Sequence, residues 1–217
     1  MLIFASLSFK VATMRAILTA DIVNSSLLTT EFDCLINDLK QFFGEEKTDF
    51  FNGDSFRVLI IRPENALMKC IKSRLLAIKY AENRAIDIRA SINIGHLQSD
   101  DIDLRSSMDE LLVASGRSFA KLQGTSRRLY INSGDKEKDF TYEIIAEYAD
   151  SLMAKITAKQ AKIIYQLLSG KSQVETAAAL QLSTATVSKQ VKAGRYEELR
   201  SMLNKFELLT NQLQNGN

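Results

Sequence analysis

The apolar residues in the first 150 positions recur with two different spacings, which predict strands and helices in alternation. The segment AILTADIV is a short apolar run typical of a buried strand, and DIRASINIGHL alternates apolar and polar residues like a half-buried strand. Between them, EFDCLINDLKQFF repeats apolar residues near every 3.6 positions, which predicts a helix. The full order, β-α-β-β-α-β-α-β, indicates an α+β domain with helices layered on a sheet.

A β-hairpin is predicted within the segment TDFFNGDSFRVLIIR. Residues 48–51 and 55–61 have the composition of strands, and Asn52-Gly53-Asp54 joins them. Asn-Gly between two apolar runs is a strong hairpin signal, because both residues tolerate the backbone angles of a tight turn. Helical spacing continues over residues 64–83, most of residues 106–123 is expected to be helical, a further helix is expected from about Phe140 onward, and a short strand is expected from Arg128.

The C-terminal third of the chain predicts three short helices separated by tight turns. Thr157 is placed to cap the first helix, which Gly170 ends, and Ser172 is placed to cap the second. Ser183 is placed to cap the third helix, and Gly194 closes it. This pattern predicts a helix-turn-helix, whose last helix enters the major groove of DNA in known examples.

The exposed positions of the predicted last helix are the candidate DNA contacts. Its N-terminal part approaches base edges in this motif, and flanking cations approach phosphates. Gln190 joins the base-reading set if the helix docks more steeply. The candidates for base edges are Thr184, Thr186, Ser188 and Lys189, and the candidates for phosphates are Lys171, Lys192 and Arg195. A three-helix protein-interaction or dimerisation module is the alternative interpretation.

The distribution of charge supports contact with nucleic acid at the C-terminal end. The whole chain has a net charge of +2, but residues 151–217 carry nine Lys and Arg against four Glu, while residues 1–150 are net acidic. A final helix over residues 195–213 has one apolar stripe that covers the helix-turn-helix core or pairs with a second copy. We expect a homodimer bound to double-stranded DNA, because helix-turn-helix proteins often read two half-sites.

The N-terminal segment MLIFASLSFKVAT is apolar but lacks the marks of a secretion signal. It has no basic residue before its apolar stretch, no small-residue cleavage site, and too few residues to span a bilayer. Residues 1–13 are therefore interpreted as an extension before Met14, and no membrane association is expected. The two cysteines form neither a disulfide framework nor a zinc cluster, which fits a cytoplasmic protein.

Three segments, LTADIVNSS, NGDSFRVLI and RASINIGHL, come in the order and approximate spacing of the class III nucleotide cyclase fold. The chain resembles even more the bacterial SatD-like relatives of that fold, which also end in a helix-turn-helix. The resemblance implies a ferredoxin-like, cyclase-like α+β domain over residues 14–150 and a small all-α DNA-binding domain over residues 151–217.

The resemblance also implies a metal site, since two aspartates bind the metal ions in cyclases and match Asp21 and Asp54 here. Mg²⁺ or Mn²⁺ is the expected ion, because two carboxylates suffice when phosphate and water supply the other ligands. The backbone amides of Asn24, Ser25 and Ser26 would suit phosphate oxygens of a nucleotide. Alternatively, each aspartate only stabilises a turn.

The sequence departs from the cyclase pattern at the positions that perform cyclisation. Phe50 stands where cyclases carry the base-reading Lys, and Ala120 and Gly124 stand where they carry an Asn and an Arg. Val113 replaces an acid of the same motif. Loss of the Arg removes stabilisation of the transferring phosphoryl group, so no catalytic residue is assigned and cyclisation is not expected.

These observations favour a transcriptional regulator whose cyclase-like domain is a degenerate sensor of a nucleotide or metal, or a dimerisation platform. The first alternative is a metal-dependent enzyme that binds or processes nucleotides through Asp21 and Asp54. The second alternative is a protein-interaction scaffold with neither activity.

Overall fold

The computed structural model describes residues 13–81 and 85–215, which form one five-stranded sheet and eight α-helices. The strands are β1 (Thr13–Val23), β2 (Lys47–Phe51), β3 (Ser55–Ile60), β4 (Asp87–Leu97) and β5 (Leu129–Asn132). The helices are α1 (Thr30–Phe42), α2 (Ala66–Ile78), α3 (Glu110–Ala120), α4 (Lys136–Met153), α5 (Ala158–Leu168), α6 (Gln173–Ala179), α7 (Thr184–Ala193) and α8 (Tyr196–Gln214). The prediction of a mixed α+β protein is confirmed.

The sheet has the strand order β2-β3-β1-β4-β5, so the first strand in the chain is central. β1 runs antiparallel to both β3 and β4, and only the β4–β5 pair is parallel. In this register Asp21 lies opposite Ser55 of β3 on one side and opposite Arg89 of β4 on the other. The sheet therefore brings residues far apart in the chain to one end of β1.

The two faces of the sheet carry different side chains. Leu18, Val58 and Ile92 point to the face that packs against α2 and α4, which holds the main apolar core. Ile17 and Leu59 point to the opposite face, where α3 packs with Leu111. This second face also buries a polar group: the hydroxyls of Thr19 and Ser115 lie 2.6 Å apart. The alternation follows from the two-residue repeat of a strand.

The C-terminal helices pack on the sheet domain rather than standing apart from it. α5 packs against α2, and α8 packs against α4. Ile164 of α5 and Phe206 of α8 are fully buried in the same cluster as the sheet residues. The boundary expected at residue 150 lies inside α4, which continues to Met153.

A buried arginine joins three of these elements. Arg74 of α2 has a side chain that is 1% exposed, and its guanidinium donates to both oxygens of Asp87 at the start of β4. It also donates to Asp150 of α4, whose other oxygen accepts from the amides of Arg128 and Leu129. Every charge of the triad is thus paired and hydrogen-bonded, as a buried ion requires.

Several expected boundaries differ from the structure. The hairpin and the strand DIRASINIGHL are confirmed, but the helix expected from Phe140 begins at Lys136, because the Asp135 carboxylate caps the amides of Glu137 and Lys138. Of residues 106–123, the α-helical part is α3, which Asp109 caps. Of the described residues within 64–83, the α-helical part is α2.

The interpretation of residues 1–13 as an extension falls almost wholly outside the described residues, which begin with Thr13 in β1. Within residues 13–81 and 85–215, no helix combines the length and the apolar character that crossing a bilayer demands.

Candidate nucleic-acid interface and carboxylate pair

Helices α5, α6 and α7 form a compact three-helix unit, residues 157–194, with the caps that the sequence predicts. The hydroxyls of Thr157, Ser172 and Ser183 each accept a hydrogen bond from a backbone amide one turn into the helix that follows. At Ser172, the side chain of Glu175 completes a reciprocal capping box. These caps fix where each helix starts and therefore which residues reach solvent.

A separate apolar cluster holds the three-helix unit together. Ile163 of α5 and Val187 of α7 are fully buried, and Ala177 of α6 lies between the helices. Leu180 and Leu182, on either side of the turn between α6 and α7, pack against this cluster. Packing against this cluster thus fixes the inner face of α7, and the outer face takes no part in the cluster.

The outer face of α7 carries most of the predicted DNA contacts. Thr184, Ser188, Lys189 and Lys192 are exposed, and Lys171 is exposed at the start of the segment that leads into α6. Thr186 is half-buried, and its hydroxyl lies 2.9 Å from that of Ser183. α7 itself therefore offers hydroxyls and ammonium groups and contains no acidic residue, while Glu197 and Glu198 of α8 line a surface cavity together with Ser188 and Lys192.

Arg195 differs from the other predicted phosphate contacts because the protein already binds its guanidinium. Arg195 donates two hydrogen bonds to the carboxylate of Glu198, and it lies over the ring of Tyr148, 5.9 Å from the centroid. The hydrogen bond from Arg195, followed by that from Tyr148, lowers the pKa of Glu198 to about 2. Arg195 thus links α8 to α4, a role that the local sequence did not indicate.

Asp21 lies on β1 and Asp54 lies in the turn between β2 and β3, next to the end of β1, but each already has a partner. Both oxygens of Asp21 accept hydrogen bonds from the guanidinium of Arg89 on β4. One oxygen of Asp54 accepts from the Ser25 hydroxyl at 2.7 Å, and the backbone oxygen of Asp54 accepts from the amide of Ile22. Both residues therefore lie at one end of the sheet, and their carboxylates accept hydrogen bonds from other side chains of the protein.

This donor set does not fit a resident Mg²⁺ or Mn²⁺ ion. A cation at Asp21 would have to displace Arg89, which is itself held over the Phe119 ring, 5.6 Å from the centroid. Arg89 supplies the positive charge that a metal ion would otherwise supply.

The predicted phosphate-binding residues lie in the short connection after β1. Asn24 adopts a left-handed conformation and donates its side-chain amide to the Ala85 carbonyl, 2.8 Å away. Ser25 is bound to Asp54, and Ser26 is exposed. Ser25–Leu27 form a single 3₁₀ turn. This segment is therefore tied to the neighbouring loop and hairpin by its side chains.

Comparisons with known proteins give a weak resemblance in fold. No family model matches the chain, and no curated protein matches it. Among solved structures, the chain is similar to one titled "Crystal structure of the guanylyl cyclase Cya2", with 16% identity and a TM-score of 0.34. The similarity covers 50% of this chain and 70% of that chain. At this TM-score the guanylyl cyclase is only a distant structural neighbour of this chain.

Proposed function

We propose that this chain is a cytoplasmic DNA-binding transcriptional regulator of the SatD-like type, in which α6 and α7 form a helix-turn-helix. The supporting observation is the outer face of α7, which presents Ser188, Lys189 and Lys192 to solvent while Val187 and Val191 anchor the opposite side. A helix held in this way presents side chains to a major groove without reorganisation.

Charge supports a duplex DNA partner for the same surface. The three-helix unit contains five Lys and a single acid, Glu175, whose carboxylate is used by Ser172 in the capping box. Phosphate contacts are assigned to Lys171 and Lys192 and a base-edge contact to Lys189, whereas Arg195 stays with Glu198. Each phosphate contact releases a condensed counterion, so binding weakens steeply with salt.

The experiment is fluorescence anisotropy of a labelled 30-base-pair duplex titrated with the full chain at several salt concentrations. Lys189→Ala and Lys192→Ala are both expected to weaken binding, and Lys192→Ala, which removes a phosphate contact, is expected to reduce the slope of log K against log salt by about 0.9. The matched control is Lys47→Ala, an exposed lysine on β2 that pairs with Asp101 and is expected to bind like wild type.

Two results would refute the DNA-binding proposal: no binding of the wild-type chain at low salt, or equal losses in Lys47→Ala and Lys189→Ala. Point variants test DNA binding more specifically than deletion of residues 156–217, because that deletion also removes Ile164 and Phe206 from the core that they share with the sheet.

We further propose that the sheet domain serves as a sensor or as a dimerisation platform, and that the chain is a homodimer. α4 exposes Phe140 and Ile144 one turn apart, with 67% and 52% of each residue accessible. Two copies that pair across these residues would bring two α7 helices to successive half-sites. Light scattering at micromolar concentration tests this, and a monomer mass would contradict it.

The enzymatic alternative, nucleotide processing through Asp21 and Asp54, has less support because Arg89 takes both oxygens of Asp21. Incubation with Mg²⁺ or Mn²⁺ and each nucleoside triphosphate tests it. Turnover that disappears in Asp54→Ala would favour the enzyme, and binding of a triphosphate without turnover would favour a nucleotide effector.

A further inference from the structure

A half-open cavity of about 520 Å³ lies where the sheet domain meets the three-helix unit. α1 and the C-terminal end of α2 form one wall, and α5 with the end of α6 forms the other. Cavities of this size hold small organic ligands in many proteins. None of the residues that we assign to DNA contact lines it.

The apolar part of the cavity is preformed. Tyr80, Tyr165 and Leu180 line it, and each of the two tyrosines makes a contact with a neighbouring side chain. The hydroxyl of Tyr80 donates to Asp38 at 2.6 Å, while the Lys72 ammonium lies 5.0 Å from the centroid of the Tyr165 ring. Two fixed rings favour a planar apolar group, because little side-chain freedom is lost when it binds.

The polar part of the cavity has one unpaired positive charge. Lys79 lines the cavity, but its ammonium forms an ion pair with Asp38. Lys162 also lines it, and no described residue forms an ion pair with its ammonium. Glu31 is the acid on the lining, and its carboxylate accepts from the Thr29 hydroxyl at the start of α1. An anionic group beside Lys162 would therefore gain a charge-assisted hydrogen bond.

We infer that this cavity binds a small aromatic acid, with the ring between Tyr80 and Tyr165 and the acid group on Lys162. Leu180 links the cavity to the turn before α7, because it lines the cavity and also packs against the apolar cluster that holds Val187. A bound molecule thus contacts the segment that sets the start of α7. The inference goes beyond the proposed DNA binding and does not depend on it.

The experiment is isothermal titration calorimetry of the full chain, without DNA, using 2-naphthoate and its neutral counterpart 2-naphthamide as probes. The two probes share a ring system and differ in charge. We expect 2-naphthoate to bind about fivefold more tightly than 2-naphthamide, the effect of one accessible ion pair. Lys162→Gln should remove that difference by weakening the acid alone.

Two further variants of α5 test whether the difference in affinity between the two probes arises at Lys162. Gln166→Glu puts a carboxylate on the cavity lining one turn from Lys162, and it should weaken 2-naphthoate more than 2-naphthamide. Lys159→Gln removes an exposed lysine that does not line the cavity, and it should leave both affinities unchanged.

The inference is overturned by any of three results. The first is the absence of saturable binding of 2-naphthoate at millimolar concentration. The second is equal affinity for the acid and the amide, and the third is an equal loss of affinity in Lys159→Gln and Lys162→Gln. A failure of DNA binding in the anisotropy experiment would leave these calorimetric outcomes unaffected.

Discussion

Arg74 of α2 donates a 2.7 Å hydrogen bond to Asp150 of α4, across 76 positions of the chain. The same guanidinium binds Asp87 at the start of β4, so one buried cation joins two helices to the sheet. Desolvation opposes the charge of Arg74, but the two carboxylates outweigh it and raise the pKa of the guanidinium above its ordinary value. The Arg74 guanidinium therefore stays charged in the folded protein.

Removal of Arg74 is predicted to destabilise the fold strongly. Arg74→Leu leaves Asp87 and Asp150 without their cation, and breaking a buried ion pair from one side costs about 3–5 kcal/mol of unfolding free energy. Urea denaturation followed by circular dichroism measures the change. Arg62→Gln is the control, because the Arg62 side chain is 74% exposed in its pair with Glu64 and should contribute about 0–1 kcal/mol. Equal midpoints for both variants would contradict the prediction.

Gly194 is predicted to be required for the close packing of α7 on α5. A Cβ atom at this position would lie 2.9 Å from Cδ1 of the buried Ile164 and 3.1 Å from the Gln190 carbonyl oxygen. Gly194→Ala should therefore cost about 1–3 kcal/mol of unfolding free energy through overpacking.

Gly116→Ala in α3 is the matched comparison for Gly194→Ala. Its Cβ would meet only Nη2 of Arg57 at 3.7 Å, an ordinary contact. The higher helix propensity of alanine should stabilise this variant by up to about 1 kcal/mol. Thermal unfolding of both variants should shift in opposite directions, and a parallel shift would refute the packing argument.

The two cysteines are predicted to react at very different rates with a thiol reagent. Cys34 is exposed on α1, whereas Cys70 is buried in α2 and its burial raises the pKa of the thiol to about 12. Because the thiolate is the reactive form, Ellman's reagent at pH 8 should titrate one thiol in the native protein and two in denaturant. Cys34→Ser should abolish the native reaction, and a fast native reaction in that variant would contradict the burial of Cys70.

The Arg195–Glu198 pair is predicted to persist to low pH. The folded pKa of Glu198 is lowered to about 2, below its ordinary value of 4.5. The stabilising contribution is therefore complete above the unfolded pKa, and it is lost progressively as the pH falls from there through about 2. A carboxyl-carbon NMR titration measures the midpoint.

Two variants test the cause of the low pKa of Glu198. Arg195→Gln should raise the midpoint most, because the hydrogen bond from Arg195 is the largest influence, and Tyr148→Phe should raise it less. A midpoint in Arg195→Gln that equals the wild-type value would show that Arg195 does not bind Glu198 in solution.

The sequence predicted which helices and strands form better than it predicted the residues at which they begin and end. The hairpin 48–61 is confirmed because Asn52-Gly53 determines a turn from residues within it. The start of α4 was misplaced, because apolar spacing locates the helix while the polar residue Asp135 decides where it begins. The sequence placed Asp21 on the first strand and Asp54 in the turn of the following hairpin, but it did not identify their partners Arg89 and Ser25.

By itself the sequence determined the α+β class, the strands, the capped helices α5–α7 and the basic outer face of α7, because spacing, caps and turns act within about four residues. The tertiary structure alone decided that Arg74 joins Asp87 to Asp150, that Arg89 neutralises Asp21, and that a cavity opens beside Lys162. These arrangements depend on the strand order and on helix packing, which place side chains from distant parts of the chain in contact.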